Sequence, residues 1–364
     1  ILLIKRGKNK MVINTKQIKE KSFTKGTPDF VTNKVYPIIE NAINKWEIGI
    51  TDNVKKFSFH SNQYNALWGT YYKGSNIFGL SLWKNSYDFN HDGWIPQTQT
   101  SKLYKQGIPL KKGSVAIPIL FANWRFSNSA IEIIKSNGLN PSINVWKVKN
   151  EYPKIWVQVK DSIFYTERWW NSFNVECFDN LLGTDNEKIL KTPKNYIPTD
   201  KKKEIKLDTK NDEKFIDNIT VNMENKPNIK FGLHKVSNYV PSIDRINVRP
   251  SNEMLNFEFF YETLVHELIH STGHEDRESR HKKLNYLEHD KRSTEELVAE
   301  LGMFMSLDRV SNKDLNKEQI YNNVGNYLKS WLSQDNTKAK KIEKLMIASD
   351  LADRGERYIF DPTK

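Results

Sequence analysis

Along "NFEFFYETLVHELIHSTG" (256–273) the apolar positions Tyr261, Leu264, Val265, Leu268 and Ile269 recur at intervals of three and four. That spacing predicts an amphipathic helix with one buried stripe, stopped at Gly273. The same period runs through "STEELVAELGMFMSL" (293–307), with Leu297, Val298, Leu301, Phe304 and Met305 as its stripe. Ser293 and Glu296 stand at the spacing of a capping box, so the second helix is expected to begin at Ser293. Residues 12–50 read as mostly helical, with "PDFVTNKVYPIIENAINKWEIG" stopping at Gly49, and another helix is expected near 211–222. "NIKFGL" and "SIDRINVRP" between these stretches read as strands.

From about 55 to 180 the texture is different: short runs rich in Trp, Tyr, Phe and Ile, punctuated by "YYKGSN", "NHDGW" and "LKKGS". Here "VAIPILF" (115–121) and "KIWVQV" (154–159) predict strands, and "QTSKLYKQG" (99–107) a short helix with a glycine at its end. The polar stretch 181–212 carries two prolines and the run "KKKEIK", the composition of a linker. The expected organisation is two α+β domains: a mixed module over 12–180, a charged linker over 181–212, and a mostly helical unit with a short sheet over 213–364. Strands that precede helices, rather than alternating with them, exclude a doubly wound parallel sheet.

Composition narrows the function classes. The 364 residues suffice for two cores, so neither part needs covalent staples. One cysteine, Cys177, excludes an internal disulfide framework and a cysteine-based metal cluster; it fits a buried apolar position in a reducing, cytoplasmic setting. No run is long enough to span a bilayer. The opening "ILLIKRGKNKM" has the reverse charge order of a secretory signal, and Met11 is a candidate start. An excess of 56 basic over 44 acidic side chains, formally +12, favours polyanionic partners.

The chemistry lies in "HELIH". At about 100° per residue, His266 and His270 sit about 40° apart on the helix beside the buried stripe, so two imidazoles can grip one ion. Glu267 lies on the neighbouring flank. In a chain with eight histidines, the motif arises by chance on the order of one time in a hundred. Zinc suits neutral imidazole, and a catalytic site needs a third protein ligand with one position left for water. Glu296 is the preferred third ligand, with Glu300 one turn on orienting a ligand histidine through its other ring nitrogen. Asp276, six residues after His270, and His274 are rivals. With zinc bound, Glu267 would take a proton from water and pass it to a leaving amine, which makes the reaction amide hydrolysis. The segment "YVPSIDRINVRP" is expected to offer an edge strand for an extended peptide.

These residues resemble the ArdC-type antirestriction and phage polyvalent proteins, which join an N-terminal single-stranded-DNA-binding domain to a zincin-like metallopeptidase domain. The resemblance rests on "YYKGSNIFGLSLW", "LKKGSVAIPILF" and "FNVECFD" in the first half. In the second half it rests on "YVPSIDRINVRP", "TLVHELIHSTGHEDR", "TEELVAELG" and "YLKSWLSQDN…ASDLADRGERYI". It implies His266, His270 and Glu296 as ligands and Glu267 as the catalytic carboxylate. It also implies single-stranded DNA and an unidentified protein substrate as partners, and a protective role toward incoming mobile DNA in a bacterial cytoplasm. The inserted stretch "RFSNSAIEIIKSNGLNPSINVWKVKNEYP" departs from the family's compact pattern. In the first half, Trp68, Tyr71, Tyr72 and Trp83 interleave with Lys73 and Asn76, and Lys102, Lys105, Lys111 and Lys112 follow. Aromatic faces that stack on bases and lysines that track phosphates hold a single strand with little sequence preference. The rival reading is a DNA-coating protein whose metal site is structural, without proteolysis; a further alternative is a regulatory protease that uses the first domain only for docking.

Overall fold

A computed structural model of the chain describes residues 62–194, 196, 210–232, 236–281, 289–310 and 337–361, with Pro37 and scattered positions between 315 and 330. The helix expected over 12–50 lies outside them. The chain divides into two compact units, one comprising 50–203 and the other 204–364 with 1–49.

The first unit carries a sheet of β1 (Tyr64–Asn65), β2 (Thr70–Tyr71), β3 (Gly93–Pro96), β4 (Ile117–Phe126) and β5 (Ile163–Asn174) in the order β2-β1-β3-β5-β4. β1 runs parallel to β3 and the other neighbours are antiparallel. Helix α1 (Ser75–Ser86) packs on β4, and α2 (Thr100–Lys105) is followed by Gly107 at φ 78°, the left-handed turn that glycine permits. The core contains Tyr64, Ala66, Ile95, Leu103, Ile108, Phe173, Val175, Phe178 and Leu181, with Cys177 buried among them.

The long β4–β5 hairpin, paired from Ile117↔Ser172 to Phe126↔Ile163, is closed not by a turn but by α3 (Asn128–Ser136), α4 (Val145–Glu151) and α5 (Pro153–Val159). Here the sequence expectation fails: "KIWVQV" is α5, not a strand. Ile155 and Val159 fall on one side in either periodicity, so spacing alone does not separate the two. The discriminating residue is Val157, which a buried strand face would cover and which is 64% exposed. Pro153 at the first helical position presets the backbone. Ile155 and Val159 join Phe126, Ala130, Ile134, Val145 and Val148 in a small core of their own.

The expected linker is also corrected over its first part. Leu181 is buried in the first unit's core, with Leu182, Ile189 and Leu190 packed against it. Tyr196 donates through its hydroxyl to Asp92 at 3.1 Å. Asp92 is a buried carboxylate that also accepts from Lys84 at 2.6 Å and Gln63 at 3.1 Å. High charge in 181–196 marks the outer side of a packed strap; residues 197–209 lie outside the described ones.

In the second unit α6 (Asp212–Thr220) is capped by Asn211, which accepts from the Lys214 N–H. A sheet of β6 (Asn228–Phe231), β7 (Asn238–Val240) and β8 (Arg245–Val248) follows in the order β6-β8-β7. β8 is therefore central, parallel to β6 and antiparallel to β7. Of the expected edge segment "YVPSIDRINVRP", only the part in β7 is an edge. Helices α7 (Phe257–Ser271), α8 (His289–Ser306) and α9 (Lys338–Phe360) pack on one another, and α7 also meets β7 and β8. Both predicted stripes are buried as their spacing requires. However, α8 starts at His289, so Ser293 and Glu296 lie inside the helix and form no capping box.

Gly302 sets how closely α7 and α8 approach. A Cβ on it would lie 2.8–2.9 Å from Cδ1, Cγ1 and Cγ2 of Ile269, a side chain too branched near its backbone to swing away. Alanine is otherwise the better helix former by about 1 kcal/mol, so any net destabilisation reports the contact. Gly302→Ala should lower stability by roughly 1–3 kcal/mol through overpacking, read as the denaturant midpoint. An unchanged or raised midpoint would show that the helices separate freely.

Candidate metal centre

Helix α7 begins where the Asn256 side chain accepts the Phe259 N–H at 2.9 Å. Its apolar stripe turns inward, and that rotation aims His266 and His270, one turn apart, at α8. Gly273 is not a left-handed cap, since α7 ends at Ser271 and Gly273 is absent from the positive-φ glycines. It is glycine because the His281 ring lies against it: a Cβ would come within 2.3 Å of His281 Nε2.

The two Nε2 atoms face each other at 3.1 Å. Glu296 Oε2, from α8, lies 3.4 Å from His266 Nε2 and 3.6 Å from His270 Nε2. Ligands about 2.0–2.1 Å from a tetrahedral zinc are separated by about 3.3 Å, so all three edges match one face of such a tetrahedron. Among the described residues this is the group of histidine and acidic side chains whose donor atoms converge within 4.8 Å. The donor set therefore fits a divalent cation. His274 and Asp276 are not part of it; they pair with each other at 3.5 Å, and the Asp276 side chain is largely exposed.

Each histidine turns its other nitrogen to a second carboxylate of α8. His266 Nδ1 lies 3.3 Å from Glu300 Oε2, and His270 Nδ1 lies 3.3 Å from Glu295 Oε1. The sequence reading missed Glu295. The signal was the doubled glutamate of "TEEL": adjacent residues are about 100° apart, so one can face the ion and the other the flank of a ligand.

Glu267 points to β7, where its Oε2 accepts the Tyr239 N–H at 2.7 Å. The Tyr239 hydroxyl donates to Asp244 at 2.9 Å, and Asp244 is in turn paired with the buried Arg277. Asp244 adopts φ 44° between β7 and β8, held there by these bonds.

Charge in the cluster is mutually supporting. Burial disfavours a charged His266, but Glu296 and Glu300 outweigh it and push the imidazole up to about 10. Burial likewise opposes charge on His270, and Glu295 and Glu296 outweigh it, so its pKa is raised. Against their own burial, the Glu296 carboxyl is held well below the usual range by both histidines, and the Glu295 carboxyl by Arg280 foremost. Glu262, one turn before His266, behaves oppositely. Burial, together with the Glu300 and Glu258 charges, pushes it up to about 7, against the hydrogen bonds from Asn323.

In the first unit the expected nucleic-acid residues separate into two groups. Tyr72 (8% exposed) and Trp83 (3%) are core side chains and do not offer a face to a base. The Asn76 amide is spent on β4, donating to the Leu120 carbonyl and accepting its N–H. These three assignments are corrected: aromatic spacing on a buried helix and a sheet-binding amide imitate a stacking surface. Tyr71 is half-buried, whereas Trp68 is 51% exposed, and Lys73, Lys102, Lys105, Lys111 and Lys112 are exposed. Lys111 donates to the Glu176 carbonyl at 2.9 Å. Tyr104, on α2 between Lys102 and Lys105, is exposed and was overlooked.

The C-terminal unit is a zincin-like domain: residues 213–344 match the family model described as zincin-like metallopeptidase. The chain as a whole has the two-domain α+β fold of the antirestriction protein ArdC from the R388 plasmid. The metal-free crystal structure of that protein aligns with a TM-score of 0.50 at 18% identity over 90% of this chain and 96% of that one. A Mn(II)-bound crystal structure of ArdC aligns with a TM-score of 0.47 at 19% identity, over 90% and 97%. No curated protein matches the sequence. Among the described residues no helix is long and apolar enough to cross a membrane.

Glu262 yields a pH prediction with a definite sign. Its folded pKa, about 7, exceeds the ordinary carboxyl value of 4.5. Its contribution to stability is therefore complete below the unfolded pKa and is lost as pH rises through the folded one. Glu262→Gln, neutral throughout, should leave the melting temperature of chelator-treated protein nearly unchanged at about pH 4 and raise it above about pH 7. A pH-independent difference would contradict the assignment.

Proposed function

We propose that the chain is a zinc-dependent, peptidase-like antirestriction protein that binds single-stranded DNA through its first unit and hydrolyses peptide bonds with its second. The carrying observation is the convergence of His266 Nε2, His270 Nε2 and Glu296 Oε2, with Glu267 the next residue after the first ligand. His266, His270 and Glu296 would hold the ion; two imidazoles and one carboxylate suit zinc better than the harder divalent cations. A bound zinc would supply Lewis acidity toward water and toward the scissile carbonyl oxygen.

The remaining work falls to the chain. Glu267 takes the proton from water and returns it to the leaving amine. The Tyr239 N–H holds one of its oxygens, fixing the carboxylate and leaving the other oxygen to carry the proton. Strand β7, with β8 as its one partner among the described residues, supplies backbone groups against which an extended peptide can lie. The antirestriction role is supported by the fold shared with ArdC. DNA binding is supported by the formal charge of +12 and by the exposed Trp68, Lys102, Lys105 and Lys112.

Purified wild-type protein and Glu267→Gln should each retain about one zinc by elemental analysis, while His266→Ala and His270→Ala lose it, as a three-ligand site requires. Glu267→Gln should also lower peptide hydrolysis roughly 10²–10⁴-fold and abolish protection of incoming DNA in cells. Wild-type protein without metal sinks the reading. Undiminished protection by Glu267→Gln replaces proteolysis with strand coating.

Binding of the full chain to an unstructured oligonucleotide should weaken steeply as salt rises. Changing Lys102, Lys105 and Lys112 together to alanine should flatten the log–log slope by about 2, at about 0.7 per phosphate contact. A slope unchanged by the triple substitution would move the DNA surface elsewhere.

A further inference from the structure

The Glu295 side chain is completely buried between α7 and α8 and meets three cationic or ring groups at once. Arg280 Nε approaches its oxygens at 3.0 and 2.8 Å and Arg280 Nη2 comes within 2.7 Å of Oε1. His281 Nε2 and His270 Nδ1 each stand 3.3 Å from Oε1. Arg280 spends its other donors on the end of α7: Nη1 on Thr272 Oγ1 at 2.6 Å, and Nη2 on the carbonyls of Ile269 and His270. One guanidinium thus ties a carboxylate of α8 to the last turn of the helix that carries His270.

We propose that Glu295, held by Arg280, is a positioning residue that fixes the tautomer and ring orientation of His270. The inference rests on the metal-centre reading above. A neutral imidazole has one lone pair to give, and the nitrogen that gives it is decided by the hydrogen bond at the other nitrogen. A carboxylate at Nδ1 keeps the proton there and leaves the Nε2 lone pair aimed at His266 Nε2 and Glu296 Oε2, where the ion would sit.

A buried carboxylate serves as that acceptor only if it stays charged and does not rotate, and the fork of Arg280 supplies both conditions. A lone hydrogen bond would leave Glu295 free to turn away. The second tie from Arg280 to the α7 carbonyls sets the distance between acceptor and ring. Gly273 belongs to the same arrangement, because any Cβ there would displace the His281 ring from Glu295. Arg280 and His281 of "EDRESRH" and Glu295 of "TEEL", to which sequence reading gave no role, meet at this point.

A purely structural ion pair between the helices is the competing account, and the full-length protein separates the two. Glu295→Gln keeps an oxygen at the same place but loses the charge that Arg280 grips. Histidine ring ¹⁵N spectra of the metal-free protein, read on the neutral His270 ring, should show the Nδ1–H form in wild type and a shift toward Nε2–H in the variant. Zinc affinity, from competition with a chromophoric chelator, should fall roughly 10–100-fold, as for other residues that orient metal-ligating histidines.

A variant that loses stability yet keeps the Nδ1–H form and wild-type zinc affinity overturns the proposal. Should Glu295→Gln not fold, Arg280→Lys carries the test. It keeps the charge without the fork, so a loosened, mixed-tautomer ring supports the proposal and an unaltered one overturns it. If the wild-type chain binds no zinc, the metal-centre reading falls on that result alone, while the ring spectrum still decides whether Glu295 sets the tautomer.

Discussion

Facing imidazole lone pairs repel, so two buried rings that keep their protons on Nδ1, toward Glu300 and Glu295, and turn their Nε2 atoms to each other at 3.1 Å require a cation between them. Most of the second unit can be read as a means of meeting that requirement. Helix α8 lines up Glu295, Glu296 and Glu300 against α7, placing one carboxylate on the shared side of the rings and one behind each ring. Gly302 removes the side chain that would hold the helices apart. A divalent ion held there would supply that charge, and because its ligands must be deprotonated, loading should release protons and strengthen as pH rises.

Much of this was legible in the sequence because helices convert spacing into direction. The stripe through Tyr261 and Ile269 fixes which way His266 and His270 point, and the stripe through Leu297 and Met305 does the same for Glu296 and Glu300. What spacing does not give is the contact between elements far apart in the chain. Glu295, Arg280 and His281 meet only after α8 folds back on α7. The link between Glu267 and Tyr239 likewise depends on β7 lying at the sheet edge beside α7.

The first unit was less legible, for the same physical reason reversed. Aromatic residues at short intervals signal both a core and a stacking surface, and only burial separates Tyr72 and Trp83 from Trp68. "KIWVQV" satisfied strand and helix spacing together until Val157 was seen facing solvent. Charge in 181–196 suggested a linker, whereas Leu181 and Tyr196 show a segment strapped to the core by a few apolar and hydrogen-bonding anchors. Composition describes the exposed face of such a segment and says little about the other.

The central claim concerns three donor atoms around one ion, and X-ray absorption at the zinc edge of the loaded, full-length protein tests it most directly. The account predicts a first shell of nitrogen and oxygen at about 2.0–2.1 Å with the outer scattering of two imidazoles. A shell of oxygens alone, or the outer scattering of fewer than two imidazoles, would contradict it.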